Sequence, residues 1–430
     1  MNSEALIREL RRDLEGHREE ILDLLMETVG IATESPPGKN YPVVVDKLLP
    51  HLERVGFQAE RYDLPEAIFE ERCRRYYPEM IGDRANLLGR LEGPERPGIG
   101  FYCHLDTVPA GDPDNWGFDP FQPFVRDGYV WGRGSADSKG GAIAILAGFG
   151  ALRRLGVEPA QPCVVALTTD EEIGPYTGLM HMADCGVFDG CDRFHSCDGM
   201  ADSLGIGSLG AFTWTVRVRG RSVHSGSSFL GVNPIERGLP LLEELISLKG
   251  EVQGRQSALR VSPEVERATG RTNLASLLNV TIARAGVKHN VVPPDLVLEG
   301  DRRFIPEEDE EDCIVELESA LERAGNRDPE LGLDLTTRPF YTSFAGDPKN
   351  AWILRVRKLV EQVRGGPMPI AGISGSTDVA HLARVTGMSV TVSGLARHGE
   401  TRNHGAEERA RISDILEAAT VTAALAAGVA

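Results

Sequence analysis

His104-Leu105-Asp106 closes a short apolar run that begins at Phe101. On an extended strand, residues two apart point to the same side, so this imidazole and carboxylate would face one cleft together. One can bind a metal ion while the other orients it, because a ligating imidazole usually passes its second ring N–H to a carboxylate or carbonyl. Thirty-one residues after Asp106, Asp137 stands in the glycine-rich turn Gly132–Gly141, which opens an apolar helix over Ala142–Leu155. A carboxylate there could bridge two cations. Thr168-Thr169-Asp170-Glu171-Glu172-Ile173-Gly174 follows a second apolar run, Cys163–Leu167, and offers one glutamate to a metal and its neighbour to the water that the metal activates. Cys197-Asp198-Gly199 ends a third run, and His404 lies in the closing segment Arg402–Glu408. Singly, an HxD is better read as chance, a glycine cluster as a turn and a Glu-Glu pair as a solvated acidic turn. Their shared placement at strand exits sets them apart.

The elements that must position these residues alternate. A helix over Ser3–Val29, broken at Ser35-Pro36-Pro37-Gly38, precedes a helix over Val43–Val55 and strands over Phe57–Leu64, Asn86–Leu91 and Gly98–Cys103. The stretch Pro65–Ile81 is irregular and receives no function. Strands alternating with helices predict an α/β layer fold with a largely parallel mixed sheet, and such sheets bind ligands beyond the carboxyl ends of their strands. From Ala211 the pattern changes: strands over Thr213–Val218, Leu274–Ile282 and Leu296–Phe304 and helices over Pro234–Leu248 and Pro306–Ala324 predict a small α+β unit. The expected division is a discontinuous catalytic domain, 1–210 and 329–430, interrupted by an inserted lid and dimerisation domain, 211–328. The α/β pattern is expected to resume with a strand over Leu333–Phe340, a helix over Ala351–Val363, a strand over Met388–Val392 and a last helix over Ala406–Ala427. Within the insertion, His224 sits in a glycine-bounded loop, with Asn290 and Arg303 further on; Gly375-Ser376-Thr377-Asp378 offers a loop of backbone donors. By itself His224 reads as a surface histidine.

At 430 residues and 41% hydrophobic content the chain can bury proper cores. A formal charge of −18, from 46 basic and 64 acidic residues, argues against a nucleic-acid partner, although a local arginine or bound cations can reverse the potential inside one cleft. Seven cysteines without a CxxC suit a reduced compartment, and the charged N-terminus lacks the apolar core of a signal peptide. No run is long enough to span a bilayer. The expectation is a cytoplasmic protein without a membrane partner.

In this order the residues resemble the family of two-zinc amidohydrolases and exopeptidases that includes acetylornithine deacetylase, succinyl-diaminopimelate desuccinylase, aminoacylase and the carboxypeptidase G type. The resemblance runs from about residue 20 to the C-terminus. It rests on HxDxVP at His104–Pro109, GRGxxDxKGG at Gly132–Gly141, DEExG at Asp170–Gly174, HSG at His224–Gly226, NVVP at Asn290–Pro293, DxR at Asp301–Arg303 and HxxxE at His404–Glu408. It implies that His104 and Glu172 complete one zinc and Asp198 and His404 the other, with Asp137 bridging them. Glu171 would be the general acid/base and Asp106 the orienter of His104. His224, Asn290 and Arg303 would serve catalysis and substrate binding from the small domain, the first two reaching the partner's site in a homodimer. Two departures stand out: Glu407 replaces an expected asparagine, and Asp198 is the choice of the dipeptidase branch while the rest looks more like the deacylases.

The chemistry fits the residues without the family name. Two cations about 3.5–4 Å apart on a shared carboxylate bring a water's pKa to about 7. A glutamate beside a ligand can take that proton and hand it to a leaving amine, typically worth about 100- to 10,000-fold in rate. Imidazole and carboxylate donors admit cobalt or manganese as well as zinc. The expected substrate is an N-acyl amino acid, with Arg303 gripping its carboxylate; a metallo-dipeptidase or carboxypeptidase is the alternative. A non-catalytic binding protein on this scaffold would be expected to lose Glu171 or a ligand, and all six positions are filled.

Overall fold

Gly98–His104 is buried along all seven of its residues, as a strand must be that is covered on both faces. In the computed structural model, which describes residues 2–174, 176–328 and 331–429, this strand lies near the middle of a nine-stranded sheet. Cys163–Thr168 and Cys191–Ser196 flank it in parallel, and Ser389–Val392 continues the parallel set beyond Cys191–Ser196. Outward the pairing turns antiparallel, through Ala85–Leu91 to Gln58–Asp63 on one side and through Leu204–Ser208 to Phe344–Ala345 on the other. Ile370–Ile373 adds a parallel partner to Leu204–Ser208. The fold is therefore α/β, with a mixed sheet parallel at its centre.

Strand alternation sorts the side chains. Ile99, Phe101 and Cys103 point into the larger core, under the helices Ser3–Gly16, Arg18–Val29, Tyr41–Arg54, Lys139–Arg154, Ala351–Arg364 and Ile412–Ala426. Tyr102 points the other way, into a second core with Leu179, Met182, Val379 and Leu382 of the helices Leu179–Asp184 and Val379–Thr386. The central strands thus release their C-terminal residues at one rim.

Several boundaries differ from the sequence reading. The opening helix is two helices, interrupted at His17, with Leu6, Leu10 and Leu14 buried on the first and Ile21, Leu25 and Val29 on the second; the apolar spacing runs through the break and hides it. The last helix starts at Ile412 rather than Ala406, because Arg409–Arg411 pairs with Tyr129–Trp131 and places the Arg409 guanidinium 4.5 Å from the Trp131 ring centre. Leu333–Phe340 does not rejoin the larger sheet. It lies within Gly332–Tyr341, which pairs antiparallel with Gly210–Arg219 as the outer strand of a four-stranded sheet completed by Asp295–Phe304 and Leu277–Ala285. A period-two pattern marks a strand without naming its partner. The helices Leu239–Gln253 and Glu310–Arg327 cover this sheet around Phe212, Trp214, Leu245, Leu298 and Leu317. The hairpin Gln256–Arg260 and Asn273–Ala275 stands apart from it, its Leu259 and Leu274 joining the larger core. Among the described residues no helix is long and apolar enough to cross a membrane.

His195, on Cys191–Ser196, is 1% exposed, and its Nδ1 lies 3.0 Å from the Thr391 hydroxyl of the neighbouring strand. Burial, aided by the charge of Arg364, holds its pKa down at about 3. The unfolded chain, with a histidine near 6.5, takes up this proton first, so the neutral imidazole's contribution is intact above about pH 6.5 and is lost progressively toward pH 3. In His195→Gln the decline of unfolding free energy between pH 6 and 4 should be shallower by about 1.4 kcal/mol per pH unit, the slope of one proton. Denaturant unfolding at several pH values checks this; a variant whose curve shifts bodily with unchanged slope would refute the assignment.

Candidate metal centre

At the rim, His104 ends the central strand with its Nε2 3.2 Å from Asp137 Oδ1 and 3.8 Å from Asp198 Oδ1. His404 approaches from the C-terminal segment, its Nε2 3.3 Å from Asp137 Oδ2 and 3.1 Å from Glu172 Oε2. Two triads result, His104 with Asp137 and Asp198, and Asp137 with Glu172 and His404, each offering ligand atoms within 4.8 Å of one another. All five expected ligands meet and Asp137 is the shared one, but the pairing implied by the resemblance is exchanged: Asp198 goes with His104, and Glu172 with His404. The cause is local. Cys197 N donates to Tyr102 O at 2.8 Å, which ties the exit of Asp198's strand to that of His104's. The short turn Glu171–Ile173 instead directs Glu172 toward His404. Spacing along a chain says nothing of which pair shares an ion.

The donor set fits two divalent cations. Three carboxylates and two imidazoles converge without a thiol, and Glu172 Oε1 is buried with no hydrogen-bond partner among the described residues. Burial, followed by the charge of Asp137, pushes Glu172 up to about 7. Burial also raises Asp198, to about 6, against the pull of His104. Hydrogen bonds to Asp137 and Glu172 raise His404 to about 10. Burial opposes the charging of His104, but Asp198, Asp106 and Asp137 carry its pKa well above the usual value. For Asp137 burial is likewise outweighed, by His104 and His404, and its pKa falls. Oxygen and nitrogen donors of this kind suit zinc, cobalt or manganese.

Each ligand is held from behind. Asp106 does so twice: its carbonyl lies 3.0 Å from His104 Nδ1, nearer than its carboxylate at 3.5 Å, while Oδ1 and Oδ2 accept from Glu171 N at 3.2 Å and Glu172 N at 3.1 Å. It therefore orients His104 chiefly through the backbone and reserves its carboxylate for the two glutamates. Asp170, before them, adopts φ +71°, a strained region for a side-chain-bearing residue. It is gripped by Arg84 Nη1 at 2.8 Å, Tyr41 OH at 2.7 Å and Thr177 Oγ1 at 2.8 Å. The stretch that had no function in the sequence packs here: Phe69, Cys73 and Met80 form a small cluster with Ile173, and Phe69 covers the Arg84 guanidinium. Glu171 is buried beside this turn, its carbonyl accepting from Tyr341 OH; burial first, then Asp198 and Asp378, raise its carboxyl well above the usual range against His104. Behind Asp137, the buried Glu408 accepts from Arg133 Nη1 at 2.7 Å and from Gly134 N, Ala136 N and Asp137 N, each at 3.0 Å.

The residues expected from the insertion divide into two groups. Arg303 lies at the junction, its Nη1 3.5 Å from Ser376 Oγ, beside the loop that carries Gly375. That loop ends at Asp378, which accepts from Tyr102 OH at 2.6 Å and which burial pushes up to about 7. His224 is exposed and its Nδ1 accepts from Gly226 N at 3.0 Å; Ser225 N donates to Asn290 O at 3.0 Å, so His224 and Asn290 are neighbours. Among the described residues neither forms an ion pair or hydrogen bond with the two triads. Sequence reasoning missed Arg84 and Asn403, which reach the site through Asp170 and Asp137. Neither belongs to a motif: Arg84 is brought there by the fold alone, and Asn403 stands next to His404 without a pattern that marks its target.

Known proteins resemble this chain in sequence and in fold. Succinyl-diaminopimelate desuccinylase from Alkalilimnicola ehrlichii is 25% identical over 379 residues, covering 86% of this chain and 88% of that protein. A Bacillus subtilis protein, N-formyl-4-amino-5-aminomethyl-2-methylpyrimidine deformylase, is 22% identical over 339 residues, 74% of this chain and 71% of its own length. Among solved structures, the dipeptidase Dug1p from Saccharomyces cerevisiae superposes with a TM-score of 0.79 at 17% identity over 98% of both chains. Human carnosine dipeptidase 1 gives 0.76 at 17% identity over 98% of this chain and 99% of that one. The family model described as peptidase family M20/M25/M40 matches residues 100–428, a span that contains all five metal donors and Glu171, and the chain belongs to that family of metal-dependent hydrolases.

Proposed function

We propose that the protein hydrolyses the amide bond of an N-acyl amino acid or a related carboxylate-bearing substrate, with zinc as the working metal and cobalt or manganese as acceptable substitutes. The observation that supports this most directly is the pair of triads sharing Asp137 with Glu171 beside them. Two bound cations would supply Lewis acidity, acidifying a water and polarising the scissile carbonyl. Glu171 takes the proton from that water and returns it to the leaving nitrogen. Asp106 keeps Glu171 and Glu172 on one turn, so the base stays beside the ligands without becoming one. Arg303 offers a bidentate fork to the substrate carboxylate, and the loop at Gly375 offers backbone donors. The names of the desuccinylase and the deformylase favour removal of an acyl group. Asp198 favours the second reading, a dipeptidase. Initial rates on N-acetyl, N-succinyl and N-formyl amino acids beside dipeptides separate the two; turnover of dipeptides alone would reject the first.

His224 and Asn290 enter this reading as groups lent to the partner site of a cytoplasmic homodimer, His224 as a donor to the developing oxyanion. The exposure of His224 supports it, as does the buried Asn290 Oδ1, which has no hydrogen-bond partner among the described residues; Phe229 is 82% and Val287 95% exposed on the same unit. In this reading the four-stranded unit is the lid and dimerisation domain, inserted into a discontinuous catalytic domain.

Three outcomes are expected. Protein purified with zinc should carry two equivalents per chain by elemental analysis, and well-folded protein with none would end the two-metal reading. Glu171→Gln should keep its metal while turnover falls by at least about 100-fold, since the base is lost and the ligands remain; near-normal turnover of a slow substrate would refute the role. Co-expressed Glu171→Ala and His224→Ala chains, each inactive alone, should regain roughly a quarter of wild-type activity, because half the dimers are mixed and one site in each is whole. No recovery in a verified mixed dimer would place His224 outside the partner's chemistry.

A further inference from the structure

Glu407 stands where the family resemblance leads one to expect an asparagine, and its carboxylate forms an ion pair with Arg402 instead. The amide that reaches the metal centre belongs to another residue. Asn403 Nδ2 donates to Asp137 Oδ2 at 3.2 Å. Its other end is fixed as well: Asn403 Oδ1 lies 2.5 Å from the hydroxyl of the buried Thr401, which accepts from Arg397 N at 3.0 Å. The Thr401 hydroxyl also lies 3.0 Å from Arg397 O, so the assignment comes from the other end: a carboxylate oxygen only accepts, which sets the amide nitrogen toward Asp137 and leaves the amide oxygen toward Thr401. The backbone supports this aim. Arg402 and His404, on either side of Asn403, have φ +56° and +61°, and Glu407 has +58°, which fold the segment into a tight loop closed by the Arg402–Glu407 pair.

Asp137 is the one donor that must serve two positions, with Oδ1 toward His104 at 3.2 Å and Oδ2 toward His404 at 3.3 Å. A carboxylate held only at its backbone can rotate about its last bond and spoil that division. Glu408 Oε1 holds the backbone, accepting from Asp137 N at 3.0 Å. Nothing in that contact fixes the carboxylate plane. We propose that Asn403 is a positioning residue: its amide fixes the carboxylate plane of Asp137, so that one oxygen faces each triad, a task this chain has placed just before His404. The inference rests on the two-metal reading above and concerns a residue outside the motifs that carry it.

The test uses wild-type holoenzyme beside Asn403→Ala and Thr401→Val, each equilibrated against a series of zinc buffers and assayed for zinc per chain. Asn403→Ala should release one of its two zincs at roughly 10-fold higher free zinc than wild type, with the other unaffected, the lower end of the effect of losing a group that orients a ligand. Thr401→Val, which keeps the amide but removes the hydroxyl that holds its far end and pairs with the Arg397 backbone, should shift the same release in the same direction by less, provided its thermal midpoint stays at the wild-type value. Cobalt-substituted Asn403→Ala should show an altered visible absorption spectrum while its thermal midpoint stays at the wild-type value. Superimposable release curves and spectra would overturn the proposal. So would loss of both zincs together with a lowered thermal midpoint, which would make Asn403 a loop-folding residue only. Wild-type protein that never holds two zincs would instead bring down the two-metal reading, and this inference with it.

Discussion

Three carboxylates, those of Asp137, Glu172 and Asp198, share one partly enclosed cleft with only two imidazoles to offset them. Like charges this close in a medium of reduced dielectric repel strongly, and burial adds a desolvation cost to each. Among the described residues no arginine or lysine forms an ion pair with any of the three. The two fully buried arginines near the site are spent on other carboxylates, Arg84 on Asp170 and Arg133 on Glu408, at 2.8 and 2.7 Å. Both acids are scaffold: Asp170 fixes the turn that presents Glu171 and Glu172, and Glu408 binds the backbone of the Asp137 loop. Neutralising the scaffold and leaving the ligands uncompensated is how a fold keeps negative potential where cations must bind.

This division of labour explains why so much hydrogen bonding converges behind the ligands. A buried ion pair of this kind is weak evidence for stability, since its desolvation cost offsets much of its attraction. Its value here lies in geometry. Arg84 touches the carbonyl of Gly38 as well as Asp170, so one guanidinium links the loop at Gly38, the stretch containing Phe69 and the turn that carries Glu171 and Glu172. Glu408 gathers three backbone N–H groups and a guanidinium with one side chain, leaving the Asp137 backbone little freedom.

His104, Glu171, Glu172 and Asp198 were legible because they follow apolar runs bounded by turn residues, whereas Asp137 and His404 lie in turns and the full ligand set came from the resemblance of the motifs. The α/β layering was legible for the same reason. What escaped depends on contacts between segments far apart in the chain. Which imidazole shares an ion with which carboxylate is set by the register of neighbouring strands, not by spacing. Asn403 and Arg84 carry no local signature of their targets, 266 and 86 residues away. The strand Gly332–Tyr341 was recognisable as a strand, yet its alternation fits either sheet; the choice is made by Gly210–Arg219, whose Arg219 also pairs with Asp334.

A further long-range contact concerns Arg303, the residue proposed above to grip a substrate carboxylate. Arg303 belongs to the four-stranded unit, yet its Nη1 lies 3.5 Å from Ser376 Oγ, outside that unit. The hairpin Gln256–Arg260 and Asn273–Ala275 provides the connection. Leu274 packs so closely on Gly372, beside the Gly375 loop, that a Cβ there would come within 2.4 Å of it. At the other end, Glu308 accepts from Arg255 Nη1 and Arg302 Nη2, both at 2.7 Å, and from Ile305 N at 3.1 Å, tying the hairpin to the strand that carries Arg303. Arg302 is 1% exposed, so this junction is a packed core and not a surface hinge. Strand alternation then turns Arg303 to the opposite face from its buried neighbour, toward Ser376. The guanidinium is thereby aimed by both sheets together, although it belongs to only one of them.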